Sequence, residues 1–350
     1  MNGRLRFAAV LTVASLGMVA CGSSGNDDTA APAAPGGSAA PKSDVKVGLA
    51  YDVGGRGDRS FNDAAAAGLD KAVKELGITK EELSPNASGS DRGDNLRSLA
   101  EDGFNPVIAV GFAYAESLEP VAKDFPNTTF FIVDDSSVKA PNVKALLFAE
   151  EQGSFLVGAA AALKSTSGSI GYIGGVETPL LKKFEAGFTA GAKQVKPDIK
   201  VQAKYLSQPP DFSGFGSPDK GKETANGMYD SGADVVYAAA GGSGTGVFQA
   251  ALAKKKLAIG VDSDQYESVG DKTLQPVILT SMLKRVDVAV FETLEKFTKK
   301  NEIPAQTVFD LSIDGVGYSE SGGFVKDIKP QLEDLKGKII AGTIKVPTTP

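Results

Sequence analysis

The sequence contains no histidine, no tryptophan and only one cysteine, Cys21. Catalytic triads and general bases that depend on an imidazole are therefore excluded. A single cysteine can form no disulfide within the chain and cannot build a multi-thiolate zinc site. We expect no cofactor, no bound metal ion and no catalytic residue.

The sequence also has fewer basic than acidic residues. Its 37 Lys and Arg residues and 43 Asp and Glu residues give a formal net charge of −6. This acidic balance disfavours a nucleic-acid polymer as a partner, since polyanions bind cationic surfaces. Beyond its first 44 residues, the chain is long enough for two domains of roughly 150 residues each.

The first 20 residues have the pattern of an export signal. Arg4 and Arg6 precede an apolar or small stretch, Phe7–Ala20, that is too short to span a membrane. The stretch ends at Cys21, and a small residue before a lone cysteine resembles a bacterial lipobox. Lipidation of Cys21 would anchor the protein at the extracytoplasmic face of the cell membrane. The alternative is ordinary cleavage that leaves Cys21 as a free thiol.

Residues 21–44 are rich in Gly, Ser, Ala and Pro, which predicts a flexible tether without a core. From Val45 onward, short apolar runs such as “VKVGLAY” alternate with helical patterns such as “FNDAAAAGLDKAVKELG”. The alternation restarts at “GSIGYIGG”, so we expect two similar lobes. Repeated strand–helix units predict an α/β fold with doubly wound parallel sheets.

Ligands of open parallel sheets bind beyond the carboxyl ends of the strands. The residues that follow the predicted strands are rich in Gly and Asp and include one lysine. They are Asp52–Gly55, Gly111–Phe112, Asp134–Ser136, Gly174–Val176, Gly241–Gly244, Asp262–Asp264 and Lys284. This composition predicts a polar cleft between the lobes that binds ligand hydroxyl groups.

An aromatic residue stands where a polar loop meets the first helix, in “GGRGDRSFNDAAAAG”. Ser60 is predicted to cap this helix through its hydroxyl. Phe61 would then face the cleft, where its ring can stack on a flat ligand ring. Asn62 can donate and accept hydrogen bonds, as the edge of a heterocycle requires. The alternative is that Phe61 packs beneath the loop as a hydrophobic staple.

Acidic and basic side chains follow two later strands. Asp262, in “GVDSDQ”, suits a vicinal diol such as a ribose because a carboxylate accepts two hydrogen bonds, and Asp134 follows the same logic. A helix cap or surface turn is the alternative for Asp262. “SMLK” places Ser281 and Lys284 in the Ser-x-x-Lys pattern of penicillin-interacting enzymes, but the companion motifs are absent. Lys284 is therefore interpreted as a charged hydrogen-bond donor.

The glycine-rich stretch “GGSGTG” follows a predicted strand and opens a helix. It matches neither the dinucleotide fingerprint nor the P-loop pattern. We interpret Gly241 and Gly242 as backbone donors to a ligand that also allow the sheet and helix to pack closely.

Five separate stretches, in order, resemble the signatures of one family. They are Gly54-Gly55-x-x-Asp58-x-Ser60-Phe61-Asn62 with Gly68, “GYIGGVETPLLKKFEAGFTAGA”, “DVVYAAAGGSGTGVF”, “GVDSDQ” and “TSMLKRVDVAV”. From about Val45 to Val346 the chain resembles the basic-membrane-protein (BMP) family of bacterial lipoproteins, the purine-nucleoside-binding components of ABC importers.

The resemblance implies the type I periplasmic-binding-protein fold, in which two doubly wound lobes joined by three crossovers close around a ligand. We expect the N-terminal lobe at 45–149 plus about 277–305, and the C-terminal lobe at 150–276 plus about 306–350. The resemblance also implies a role for each site residue: Phe61 and Phe188 sandwich the purine, Asn62 and Asp134 contact the base edge, Asp262 and Lys284 bind the ribose hydroxyls, the backbone of Gly241 and Gly242 assists, and Asp52 contributes.

The function that the resemblance implies is that of a monomeric, non-enzymatic receptor. It would capture a purine nucleoside outside the membrane and deliver it to an ABC permease and its ATPase. One alternative is a receptor of the same fold for a sugar, an amino acid or a peptide-like signal. A Ser281/Lys284 hydrolase, a carboxylate-based glycosidase, and an adhesin or sensor without a transporter are further alternatives.

Overall fold

The computed structural model of the protein describes residues 43–300 and 307–350. The predicted signal peptide at 1–20, Cys21 and nearly all of the predicted tether at 21–44 lie outside the described residues. Among the helices that the structure describes, none is both long enough and apolar enough to cross a membrane.

The described residues form a first series of strands and helices, a second series, and a final segment. The first series is β1 (Lys46–Ala50), α1 (Phe61–Leu76), β2 (Thr79–Leu83), α2 (Arg92–Glu101), β3 (Val107–Ala109), α3 (Ala115–Asp124), β4 (Phe130–Val133) and β5 (Val143–Phe148). The second is α4 (Glu150–Lys164), β6 (Ser169–Val176), α5 (Pro179–Val195), β7 (Lys200–Ser207), α6 (Pro218–Asp230), β8 (Val235–Ala239), α7 (Gly244–Lys254), β9 (Leu257–Asp262), α8 (Gln265–Ser268) and β10 (Ile278–Lys284). The final segment is α9 (Val286–Lys300), β11 (Thr307–Phe309), β12 (Val316–Tyr318) and α10 (Lys329–Ile340).

The strands form two sheets with the same winding. The first sheet has the order β11-β5-β4-β3-β1-β2, and its strands are all parallel. The second has the order β12-β10-β9-β8-β6-β7, and only β12 runs antiparallel, against β10. In both sheets the first strand of the series lies between the second and third, which is the doubly wound order. The predicted α/β fold with two doubly wound lobes is confirmed.

Burial distinguishes the central strands from the edge strands. Strands β3, β4 and β8 are buried along their whole length, as expected where helices cover both faces of a sheet. The edge strand β2 has the sequence “TKEEL” and is partly exposed. The sequence analysis did not predict β2, because its charged residues lack the apolar signal of a buried strand.

The chain crosses between the lobes three times, near Ala149, Arg285 and Asp310. The crossovers lie close together, since the Ala149 amide donates to the Phe309 carbonyl at 3.0 Å. These positions differ from the predicted lobe division, because β10 belongs to the second sheet and β11 to the first. A periodic pattern identifies a strand but does not say which sheet it joins.

Helix α9 returns to the first lobe and packs against α1. Gly68 allows the two helices to approach closely, since a Cβ atom at this position would lie 2.4 Å from the Asp287 carbonyl oxygen. Leu69 and Ala72 on α1, and Val290 on α9, are fully buried. The first lobe is therefore completed by a helix encoded after nearly all of the second lobe.

Candidate functional site

A cavity lies between the carboxyl ends of the two sheets, which is where open parallel sheets bind their ligands. Both lobes contribute to its lining. The predicted site residues that line it are Asp52, Phe61, Asn62, Asp134, Gly241, Asp262 and Lys284. The strand ends thus meet at one place, as the parallel topology requires.

Two predicted residues do not line this cavity. Phe188 is fully buried in the core of the second lobe, with its ring centroid 6.2 Å from that of Tyr172 and 5.3 Å from that of Tyr237. Phe184, one helical turn earlier on α5, lines the cavity instead. Helix α5 starts at the cleft and runs away from it, so only the earlier of the two rings reaches the ligand space. Gly242 lies beside the cavity and packs near the Phe215 carbonyl.

The loop that precedes α1 is fixed by Asp58 and not by Ser60. One Asp58 carboxylate oxygen accepts hydrogen bonds from the amides of Ser60 at 2.9 Å and Asp63 at 3.1 Å, and the other accepts from the Asn62 amide at 2.9 Å. The Ser60 side chain makes no capping hydrogen bond, so the predicted cap at Ser60 is wrong. Because Asp58 satisfies the first amides of the helix, the Ser60 hydroxyl can bond elsewhere.

Asn62 is engaged by its own loop. Its Oδ1 accepts from the Asp52 amide at 2.9 Å, and its Nδ2 donates to the Val53 carbonyl at 3.3 Å and to Asp58 Oδ2 at 3.0 Å. An amide side chain has two N–H donors, and both are used here. Asn62 therefore holds the cavity wall in shape.

Asp52 closes one end of the cavity as half of a buried ion pair. Its Oδ1 lies 3.1 Å from an Arg92 guanidinium nitrogen and accepts from the Val53 amide at 2.7 Å. Burial raises the pKa of Asp52, and the Arg92 charge opposes that shift. The Arg92 guanidinium also lies 5.5 Å from the ring centroid of Phe212 in the second lobe.

Lys284, at the end of β10, is buried among acidic groups. Its ammonium forms an ion pair with Asp134 Oδ2 and lies 3.5 Å from Glu150 Oε1. Burial works against the charged form of Lys284, but Asp134, Glu150 and Asp262 together raise its pKa above the ordinary value. The site therefore contains a fixed ammonium group.

Three aromatic rings surround the same ammonium. The Lys284 Nζ lies 4.9 Å from the ring centroid of Phe61, 5.0 Å from that of Phe148 and 5.7 Å from that of Phe184. Cation–π contacts of this kind stabilise a desolvated ammonium. Phe61 and Phe184 also line the cavity, so two ring faces from different lobes border one ligand space.

Two aspartates at strand ends adopt left-handed backbone conformations, with φ of +69° at Asp134 and +64° at Asp262. This region is unusual for residues other than glycine, although Asp tolerates it best together with Asn. Asp134 Oδ1 is buried and accepts no hydrogen bond from any described residue. A buried acceptor without a donor at a cavity wall is suited to a ligand N–H or O–H.

Asp262 joins the two lobes. Its Oδ2 accepts a hydrogen bond from the Ser60 hydroxyl at 2.6 Å, and the Val261 carbonyl lies 3.2 Å from the same hydroxyl. Burial raises the pKa of Asp262 to about 6, while Lys284 and the Ser60 hydrogen bond lower it.

Further contacts between the lobes flank the cavity. On the Asp262 side, the Ser263 hydroxyl donates to the Ser60 carbonyl at 3.0 Å. On the other side, the ring of Phe112 meets that of Phe212 edge-on, with centroids 5.9 Å apart. The sequence analysis flagged Phe112 at a strand end, but Phe215, which also lines the cavity, carried no signal. The structure is therefore that of a closed cleft.

Ser281 and Lys284 lie three residues apart on a β-strand, so their side chains project to opposite faces. Ser281 is fully buried, and its hydroxyl accepts a hydrogen bond from the backbone N–H of Gln265 at 3.0 Å. Lys284, in contrast, faces the cavity. The Ser-x-x-Lys pattern does not place these two side chains together.

A family model described as “ABC transporter substrate-binding protein PnrA-like” matches residues 45–350. The chain belongs to this Bmp family. The predicted family is confirmed, and with it the role of a substrate-binding protein of an ABC transporter.

Several relatives of the Bmp protein share most of its length. A “CD4+ T-cell-stimulating antigen” of Listeria innocua is 35% identical and covers 100% of both chains. The “ABC transporter nucleoside-binding protein BmpA” of Lactococcus lactis is 35% identical over 90% of this chain and 92% of its own. An uncharacterized lipoprotein of Pyrococcus furiosus is 32% identical over 82% of this chain and 76% of its own.

A solved structure of a related protein supports the fold assignment. The solute-binding protein of an ABC transporter system from Aeropyrum pernix K1 is 28% identical, with a TM-score of 0.75 over 87% of this chain and 93% of its own. The type I periplasmic-binding-protein fold predicted for this Bmp protein is confirmed.

Proposed function

We propose that this Bmp protein is a non-enzymatic receptor that binds a purine nucleoside in the cleft and delivers it to an ABC importer. One observation carries the proposal: two aromatic rings from different lobes, Phe61 and Phe184, border a cavity that also contains Lys284 and two buried aspartates. A nucleoside combines a flat apolar base with a vicinal diol, and the cavity offers a partner to each half.

The base would lie between Phe61 and Phe184. Stacking of a base on an aromatic side chain contributes about 1–3 kcal/mol. Asp134 Oδ1, which lacks a donor within the described residues, would accept a hydrogen bond from the base edge. Phe184 takes the role that the sequence analysis gave to Phe188, and Asn62 supports the loop behind the base.

The ribose would contact Asp262 and Lys284. A carboxylate accepts and an ammonium donates, so together they bind both hydroxyls of a diol through charge-assisted hydrogen bonds. The backbone of Gly241 borders the same space, with Gly242 behind it, and Asp52 closes the opposite end. The name of the Lactococcus lactis relative supports a nucleoside as the ligand.

The same proposal includes the location and the partners. Cys21 would be lipidated, and residues 21–44 would tether the two-lobed body to the extracytoplasmic face of the membrane. Relatives named lipoproteins support this arrangement. The protein would act as a monomer that presents its closed lobes to a permease coupled to an ATPase, without a nucleic-acid partner.

Calorimetric titration of a chain that starts at Asp44 tests the ligand. The protein is first unfolded and refolded to remove carried-over ligand, and is then titrated with adenosine, guanosine, inosine, uridine, ribose and adenine. We expect saturable one-to-one binding of purine nucleosides, with much weaker binding of ribose and adenine. Ribose binding as tightly as a nucleoside would favour a sugar receptor, and no heat with any nucleoside would overturn the proposal.

A further inference from the structure

Glu150, the first residue of α4, is a buried carboxylate outside the cavity lining. Its Oε1 lies 3.5 Å from Lys284 Nζ and its Oε2 lies 3.5 Å from Lys183 Nζ. Oε2 accepts no hydrogen bond from any residue that the structure describes. Glu150 is thus placed behind Lys284, on the side away from the ligand.

The three crossovers meet at the same place. Glu150 follows the first crossover and Lys284 directly precedes the second. The ring of Phe148, which lies beneath the Lys284 ammonium, stacks on Phe309 at the third crossover, with centroids 5.3 Å apart and an interplanar angle of 28°. A shift of Lys284 would therefore be transmitted to the segments about which the lobes move.

The two carboxylates beside Lys284 come from different lobes. Asp134 directly follows β4 in the first lobe, whereas Glu150 and Lys284 both belong to the second. When the lobes separate, Asp134 moves with the first lobe and Glu150 stays beside Lys284. Asp262 also stays in the second lobe, but it lines the cavity, where the ligand would bind it. Glu150 is then the carboxylate that holds the ammonium from behind in the open state.

We propose that Glu150 is a positioning residue that keeps the Lys284 ammonium directed into the cleft in both the open and the closed state. The inference rests on the proposed function, because it assigns Lys284 to the ribose hydroxyls. Glu150 itself touches no ligand. It prepares the diol site before the nucleoside arrives, while Asp134 joins the ammonium only when the lobes close.

Burial raises the pKa of Glu150 to about 7, and Lys284 lowers it, so the titrations are run at about pH 8, where the carboxylate is ionised. Glu150→Gln keeps the shape of the side chain and removes its charge. The neighbouring Glu151→Gln is a matched control, because Glu151 also has a buried carboxylate oxygen without a hydrogen-bond partner among the described residues, and its carboxylate forms no ion pair with Lys284. Both variants and the wild type are titrated as full chains with adenosine and with 2′,3′-dideoxyadenosine, which lacks the diol.

We expect Glu150→Gln to weaken adenosine binding by at least about tenfold, since hydrogen bonds between charged groups are the strong ones. The affinity for the dideoxy analogue should change by less than about threefold, near the lower limit of one hydrogen bond's net contribution, because this analogue has no ribose hydroxyl for Lys284 to bind. Glu151→Gln should leave both affinities near the wild-type values. Equal losses for the two ligands would indicate a general structural role and overturn the proposal, as would no loss for adenosine.

A second variant covers the case in which Glu150→Gln does not fold. Glu150→Asp retains the charge on a shorter side chain, so we expect it to lose less adenosine affinity than Glu150→Gln. Adenosine binding should again be weakened more than dideoxyadenosine binding. Loss of dideoxyadenosine binding to the same extent as adenosine binding in this variant would also overturn the proposal. Failure of the wild type to bind adenosine at all would instead contradict the proposed function, and this outcome is distinguishable from the others.

Discussion

Replacing Ser60 with alanine should weaken ligand binding without unfolding either lobe. The Ser60 hydroxyl donates to Asp262 Oδ2 at 2.6 Å, and the nearby Val261 carbonyl also belongs to the second lobe. Its own helix does not use this hydroxyl, because Asp58 supplies the cap. The hydrogen bond therefore forms only when the lobes close, and its loss destabilises the closed state alone.

The size of the effect follows from the charge and burial of the acceptor. A hydrogen bond to a charged group contributes about 1.5–3 kcal/mol. Asp262 is only 7% exposed, so water cannot readily replace the missing donor. Destabilising the closed state by this amount lowers the affinity roughly 10- to 150-fold, since each 1.4 kcal/mol or so corresponds to a factor of ten.

Calorimetric titration with the tightest nucleoside measures the affinity, and thermal unfolding without ligand tests the fold. Ser263→Ala is the matched control, because its hydroxyl donates at 3.0 Å to a neutral acceptor, the Ser60 carbonyl. We expect a loss of only about 2- to 10-fold for this control. An unchanged affinity in Ser60→Ala would refute the reasoning, and so would a large fall in the melting temperature of the ligand-free protein.

Three further predictions concern the aromatic rings and the pH dependence. Phe61→Ala should weaken nucleoside binding at least about tenfold with the fold intact, as loss of base stacking requires; an unchanged calorimetric Kd would remove Phe61 from the site. Phe184→Ala should weaken binding to the same extent, whereas Phe188→Leu should lower the melting temperature and leave the Kd nearly unchanged. Weaker binding in Phe188→Leu, with an unchanged Kd in Phe184→Ala, would instead show that Phe188 is the stacking ring. Closure buries Asp262 and raises its pKa to about 6. Below the ordinary pKa of aspartate, near 4, both states are protonated, and above pH 6 the closed state bears the full cost of a buried charge. Closure of the ligand-free lobes, measured as the distance between labels on the two lobes, should therefore become less favourable as the pH rises from about 4 to 6 and then level off. Asp262→Ala should bind at least about tenfold more weakly and lose this dependence; a pH profile that is equally steep in the variant would contradict the assignment.

The parallel sheet made much of the site predictable from the sequence. Asp52, Asp134, Asp262 and Lys284 all follow apolar runs, and parallel strands bring their carboxyl ends to one edge. The structure places all four around one cavity. The sequence analysis did not identify Glu150, although it directly follows the run “NVKALLFA”, because it was interpreted as the start of a helix.

Other features required the three-dimensional structure. Phe184 and Phe188 are four residues apart and share one helix face, so their spacing cannot say which ring reaches the cleft. Asp58 and Ser60 are both good capping residues, and only the geometry distinguishes the cap from the contact between the lobes. Sheet membership of β10 and β11 depends on pairing between distant segments, which local patterns do not encode.

The return of α9 to the first lobe has a consequence for how the chain folds as it leaves the ribosome. Helix α1 is made early, but the helix that covers it near Gly68 is encoded about 220 residues later, an interval of roughly 10–40 seconds at usual rates of synthesis. Throughout this interval the face of α1 around Gly68 lacks its native partner on α9. The lobes therefore cannot be completed one after the other during translation, and a nascent chain exposes an apolar helix face that chaperones or an export apparatus would encounter.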